Sequence, residues 1–172
     1  MLEIAGKTLL RWQVSTLNNN NLTDITVIAG YASRQMKAEG ITLQENKNYK
    51  KGSELHSLIA AQKKMVNGFI MLYSDILLED HIIAKLITCQ EDIVLVVDNT
   101  IQYHEPDAYK VQDFVISKNK HSPTRRKISF VCENIISKIG SKLNSETATH
   151  EFVGLAKFTK TGSEQFLQTY ED

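Results

Sequence analysis

Apolar residues fall into short continuous runs separated by stretches with helical spacing. The run Gly68-Phe69-Ile70-Met71-Leu72-Tyr73-Ser74-Asp75-Ile76-Leu77 predicts a buried strand that ends on a carboxylate. Asp24 to Ala29 and Ile93 to Val97 predict two more buried strands, the second ending at Asp98-Asn99, and Ile41 to Gln44 a short strand with one buried face. Leu2-Glu3-Ile4 is a brief apolar opening, and Ala5-Gly6-Lys7 turns the chain. A helix capped by Thr8 then runs to Leu17, with Leu10, Val14 and Leu17 on one face, widened by Leu9 and Trp12. The run Asn18 to Asn21 ends it, because Asn tolerates the left-handed conformation. Residues 32–38 predict a short helix. Glu54 to Val66 predicts an amphipathic helix carrying Leu55, Leu58, Ile59 and Met65. Glu79-Asp80 place acids in the first turn of a helix through Cys89, with Ile82, Ile83, Leu86 and Ile87 inward.

Strand and helix alternate as far as Asp98, the order of a mostly parallel sheet covered on both faces. The pattern then changes. Val111 to Ser117, Lys127 to Cys132, Asn134 to Lys138 and Glu151 to Phe158 are strand-like, with Gly140 in a turn, and Thr161 to Tyr170 opens a helix with Phe166 and Leu167 inward. The fold class is therefore α/β: a Rossmann-like, mostly parallel sheet with helices on both faces and an antiparallel C-terminal portion.

The 172 residues are 42% hydrophobic and 23% charged, enough for one full core. Basic and acidic residues balance at 20 each, so no global field argues for nucleic acid or an anionic membrane. No apolar run reaches a membrane span, and no secretory leader is visible. Cys89 and Cys132 fit no zinc spacing and read as reduced core residues of a cytoplasmic protein. His56 and His81 have no Cys or His partner at metal spacing. No Ser-His-Asp or Cys-His arrangement emerges.

Asp75 is the residue with candidate chemistry. Open α/β sheets bind ligands beyond the carboxyl ends of their strands. A carboxylate there suits a hard cation such as Mg²⁺, which holds phosphates in turn. The same residue equally reads as a cap for the following helix. The basic loop Lys118 to Arg126 reads either as a solvated loop or as an anion contact.

Several stretches, in order, resemble the sugar-nucleotidyltransferase-like family. They are Leu2 to Leu10, Asp24 to Tyr31 with its Gly30-Tyr31 end, Asn48-Tyr49 with Gly52-Ser53-Glu54-Leu55-His56-Ser57-Leu58, Tyr73 to Leu77, and Glu151 to Ala156. The variety they resemble most is the cytidylyltransferase-like domain found fused to phosphoenolpyruvate mutase in phosphonate biosynthesis, with phosphocholine cytidylyltransferase a cousin. The resemblance covers most of the chain and implies one GT-A-type domain over residues 1–172. It implies Mg²⁺-dependent transfer of CMP from CTP to a phosphonate such as 2-aminoethylphosphonate, or to a phosphate ester such as phosphocholine, with release of pyrophosphate. It implies Asp75 as a metal ligand. It places Gly30, Tyr31, Gly52, Ser53, Glu54 and Ser57 beside base and ribose, and sets Lys118, Arg125 and Arg126 toward the acceptor's anionic group. Small molecules are the implied partners, with neither nucleic acid nor membrane.

Two departures matter. The family's first strand, its Gly-rich phosphate loop with an Arg, and the Pro-Lys pair after it would stand before Leu2. The family's second metal-binding acid lies on a later segment, and Glu151 is not assigned that role. Without the first strand, the strands at Ile25 and Phe69 would each show an unpaired edge. Three explanations fit: a fragment incomplete at the N-terminus and at the C-terminus, a non-catalytic nucleotide-binding or regulatory relative, or a homodimer in which another chain completes the sheet. Weak turnover is expected of the chain as it stands. A GT-A glycosyltransferase is the other alternative, disfavoured because Tyr73-Ser74-Asp75 is not an Asp-x-Asp pair.

Overall fold

The computed structural model describes residues 2–31, 33, 36, 39–51, 53–100, 112–118 and 134–171. The chain opens with a hairpin of β1 (Glu3–Ile4) and β2 (Lys7–Thr8). Its two loop residues, Ala5 and Gly6, have φ of 50° and 74°, the tight turn whose twist suits paired strands. Trp12 covers the hairpin, its indole N–H donating to the Ile4 carbonyl at 2.9 Å.

Helix α1 (Leu9–Asn19) starts on the Thr8 side chain, which accepts from the Arg11 N–H at 3.3 Å. It stops at Asn20, and Asn21 takes φ 61°. Its buried residues are Leu9, Gln13, Val14 and Thr16, so the predicted apolar stripe is rotated. Two polar side chains lie on the inner face because backbone carbonyls of the 73–78 segment meet them there.

β3 (Ile25–Ala29) and β4 (Ile41–Glu45) pair in parallel, from Ile25 opposite Ile41 to Ala29 opposite Glu45. Helix α2 (Glu54–Ile59) is half the predicted length. The chain leaves it at Ala60 and tightens into a 3₁₀ turn over Gln62–Lys64. That tightening buries Met65 and brings its carbonyl onto the Ser163 hydroxyl at 2.6 Å, a contact a continued helix would not make. The remaining elements are β5 (Phe69–Leu72), α3 (Asp80–Thr88), β6 (Ile93–Asp98), β7 (Phe114–Ser117), β8 (Ile136–Gly140), β9 (His150–Phe158) and α4 (Lys160–Glu171). Gly140 ends β8 and opens the turn after it, its carbonyl accepting from the Leu143 N–H at 3.3 Å. The helix predicted at 32–38 falls mostly, and the strand predicted at Lys127 to Cys132 wholly, outside the described residues.

β9 organises the larger sheet. β5, β6 and β7 each pair antiparallel with it, and β8 pairs antiparallel with β7. β5, β6 and β7 therefore run parallel to one another without pairing among themselves, and the late antiparallel strand is inserted among them rather than appended. Phe152 donates its N–H to Asp113, and Gly154 accepts from the Tyr73 N–H. Residues two apart face the same strand edge, so β5 ends where β7 begins, in series along one edge of β9. Among the described residues β3 pairs with β4 alone and β5 with β9 alone.

Both faces of this sheet are covered. On one, Phe152, Ala156 and Phe158 of β9 and Val115 pack with Phe69, Met71, Leu95, Val97 and Phe166 of α4. On the other, Leu155 packs with Ile83 and Leu86 of α3 and with Leu17, Ile70, Leu72, Val94 and Val96. The alternation along β5, β6 and β9 between these clusters is that of buried strands. Cys89 at the end of α3 is disulfide-bonded, which corrects the expected free thiol; Cys132 lies outside the described residues. No helix among the described residues is long and apolar enough to cross a membrane.

Candidate active site

Asp75 follows β5 in the four-residue turn Tyr73-Ser74-Asp75-Ile76, where Ser74 and Asp75 are exposed. Helix α3 begins only at Asp80, with Glu79 at its N-cap position. Asp75 is therefore not a helix cap, and its carboxylate stands open beyond the strand end. The turn is held from α1: the Gln13 amide donates to the Tyr73 carbonyl at 2.8 Å and to the Ile76 carbonyl at 2.7 Å.

Tyr73 gathers acids around that point. Its ring lies where a Cβ of Gly154 would be, and Gly154 has φ 83°. Its hydroxyl donates to the Asp113 carboxylate at the start of β7. Burial pushes the phenol up to about 12, with further push from the charges of Asp113, Glu54 and Asp75. Asp113 is itself raised above the ordinary carboxylate range, first by burial and then by Glu54 and Glu151, while the Tyr73 hydrogen bond opposes this. Glu54, from the start of α2, thus acts on both groups, and Asp75, from the end of β5, on Tyr73.

A second set of contacts ties the β3 end to α2. Tyr49 packs so closely on Gly30 that a Cβ there would meet its Cβ at 2.3 Å. The Asn46 N–H donates to the Ala29 carbonyl at 2.8 Å, and its buried side chain donates to the Ser57 hydroxyl at 3.1 Å. Asn46 also accepts from the Asn48 N–H at 2.9 Å, closing the loop on itself. Ser53 precedes α2 as its N-cap residue, its N–H donating to Nδ1 of His56 at 3.3 Å. Tyr31 is 83% exposed, so its ring is available at the surface. Gly52, Arg125 and Arg126 lie outside the described residues. A cavity of about 610 Å³ is lined by Asn46, Asn48, Lys51, His56, Ile59, Ala60 and Tyr170, with the His56 and Tyr170 rings edge-on at 5.9 Å.

The structure therefore brings the sequence-predicted residues into two linked groups. Gly30 and Ser57 meet through Asn46 and Tyr49, and the charges of Glu54 and Asp75 both reach Tyr73, the hydrogen-bond partner of Asp113. β7 runs past the start of β9, with Ser117 beside Thr149, so exposed Lys118 projects beyond the same end of the sheet. Glu151 is 5% exposed, faces Asp98 across the ladder and accepts from the Gln112 amide at 3.3 Å. Asp98 accepts from the N–H and hydroxyl of Thr100, both at 2.7 Å. Among the described residues no three His, Cys, Asp or Glu converge as a metal cage. Mg²⁺ fits this arrangement, because it is commonly held by one or two carboxylates, with water and phosphate oxygens completing its shell. Asp75 is the open carboxylate of that kind.

Sequence reasoning missed Gln13, Asn46 and Asp113. Gln13 carried a signal, since it is a polar residue beside Val14 on a helix face that ought to be apolar. Asp113 carried none, because only the meeting of β5 and β7 along β9 brings it to Tyr73.

No family model matches the chain. It is 24% identical over 161 residues to the choline-phosphate cytidylyltransferase of Streptococcus pneumoniae, covering 90% of this chain and 70% of that protein. It is 28% identical over 113 residues to the bifunctional IPC transferase and DIPP synthase of Rubrobacter xylanophilus, covering 62% of this chain and 26% of that one. In three dimensions it is similar to the inositol-1-phosphate CTP transferase from T. maritima, with a TM-score of 0.68 at 16% identity. That match takes in 95% of this chain and 62% of the solved one, so the chain spans under two thirds of its neighbour's length. The fold is the Rossmann-like α/β fold of nucleotidyltransferases.

Proposed function

We propose that the chain is the nucleotide-handling part of a CTP-dependent cytidylyltransferase. Its acceptor is a small phosphonate such as 2-aminoethylphosphonate, or a phosphate ester such as phosphocholine. One observation carries the reading: Asp75 stands in an open turn at the carboxyl end of β5, free of any helix start. The similarity to the choline-phosphate cytidylyltransferase supports the choice of nucleotide and acceptor class.

In this reaction an acceptor oxygen attacks the α-phosphorus of CTP in line. The bond from that phosphorus to the β-phosphate oxygen breaks, and pyrophosphate leaves. Attacker and target are both anionic, so the site must align them and offset the charge that develops. Asp75 would hold Mg²⁺, which would supply neutralisation of phosphate charge there. Gly30, Tyr31, Gly52, Ser53, Glu54 and Ser57 border the base and ribose, with Gly30 making room for Tyr49 and Ser53 preceding α2 as its N-cap residue. Lys118, Arg125 and Arg126 receive the acceptor's anion. The cytosine preference comes from the relatives. A second reading is a nucleotide-binding module without turnover.

Thermal denaturation with CTP and Mg²⁺, on the chain and on Asp75→Ala, tests the proposal. Stabilisation that disappears in the variant supports nucleotide–metal binding at Asp75. Equal stabilisation of both proteins, or none of either, sinks it. Pyrophosphate release with 2-aminoethylphosphonate and with phosphocholine then separates the enzyme from the silent module.

A further inference from the structure

We infer that Gln13 is a positioning residue for Asp75: its amide clamps both ends of the turn that presents this carboxylate to the cation of a metal–nucleotide complex. The inference rests on the reading of Asp75 given above.

The geometry is specific. A primary amide has two N–H bonds, and here both are committed, one to the first carbonyl of the turn and one to the last, at 2.8 and 2.7 Å. The residues between those carbonyls are Ser74 and Asp75, both exposed, so the clamp does not serve to bury them. Gln13 is 5% exposed, and in so dry a place releasing either bond would leave polar groups without water. The turn is pinned on its other side as well, where the Tyr73 N–H donates to the Gly154 carbonyl at 2.8 Å. Thr16, one turn further along α1, extends the clamp to the Leu78 carbonyl at 3.5 Å. Asp75 is thus fixed between α1 and β9 before any ligand arrives, and little ordering remains to be done on binding.

The test uses Mn²⁺ as the probe, titrated into the full chain with CTP present and followed by electron paramagnetic resonance. Gln13→Met keeps the side-chain length and removes both donors. Its Mn²⁺ affinity should fall by about ten- to a hundredfold, the range for groups that orient a metal's ligands, while CTP affinity without metal stays near the wild-type value. Amide hydrogen exchange at Ser74 to Leu77 should quicken. Gln13→Asn, one methylene shorter, should also lose Mn²⁺ affinity and serves where the Met variant does not fold. Wild-type Mn²⁺ affinity in either folded variant, alongside lost affinity in Asp75→Asn, would overturn the role of Gln13. Unchanged affinity in Asp75→Asn would instead overturn the reading of the site.

Discussion

The ring of Tyr73 occupies the space that a side chain at Gly154 would need. A Cβ built on Gly154 meets Tyr73 Cγ at 2.4 Å, and the backbone there has φ 83°. Two costs would fall together on any replacement. Gly154→Ala should lose about 2–4 kcal/mol, from positive-φ strain and overpacking combined. For a chain of this size that is a fall in Tm on the order of 5–15 °C, read by circular dichroism. A loss of under about 0.5 kcal/mol, the ordinary surface effect, would show that the ring is easily displaced.

Tyr73 should ionise late. Its phenol is pushed up to about 12 by burial and by the surrounding carboxylates. Because the folded value lies above the unfolded one, its contribution to stability is intact below pH 10 and is lost as pH rises through about 12. An alkaline absorbance titration should show a phase near pH 12 that Tyr73→Phe removes. Its persistence in the variant would assign it elsewhere.

Asp113 should make the protein prefer acid. Its folded pKa is raised by burial, Glu54 and Glu151, so the folded chain takes up the proton at higher pH than the unfolded chain. The stability linked to it is full below the unfolded pKa and is lost as pH rises through the folded value. Asp113→Asn keeps an oxygen for the Tyr73 hydroxyl and removes the charge. Its Tm should equal or exceed wild type at neutral pH, and the difference should close as both are acidified. A variant less stable than wild type at neutral pH would mean the charge has a stabilising partner.

Ser163→Ala should cost little despite complete burial. The hydroxyl donates to the Met65 carbonyl at 2.6 Å, but that carbonyl also accepts from the Gly68 N–H at 3.0 Å. No acceptor is orphaned, so the loss should be about 0.5–1.5 kcal/mol, that of one ordinary hydrogen bond. Urea denaturation measures it, and a loss above about 3 kcal/mol would mean that Met65 shifts as well.

The strands at Ile25, Phe69, Ile93 and Glu151 were legible because buried strands announce themselves as continuous apolar runs. Thr8, Asn20 and Asn21 were legible as helix boundaries because capping is local. α2 was overextended because Leu58, Ile59 and Met65 keep helical spacing although the backbone changes to 3₁₀ between them. The insertion of β9 among earlier strands could not be read, since pairing partners leave no mark within a strand. The open setting of Asp75 was legible as one of two alternatives, and the start of α3 at Asp80 decided between them. Its company, Asp113 by way of Tyr73 and Gln13 from α1, depends on contacts between distant segments, which periodicity does not encode.

Among the described residues β9 is the only strand with which β5, β6 and β7 all pair, and Asp75, Asp98 and Asp113 sit at or just beyond ends of those three strands. The relative placement of these carboxylates is therefore recorded once, in nine residues. Adding or deleting a single codon within that stretch would throw all three out of alignment together. The same change in the connecting loops would leave them where they are. Evolutionary tinkering with acceptor choice has its freedom in those loops, while length variation in the shared strand is closed to it.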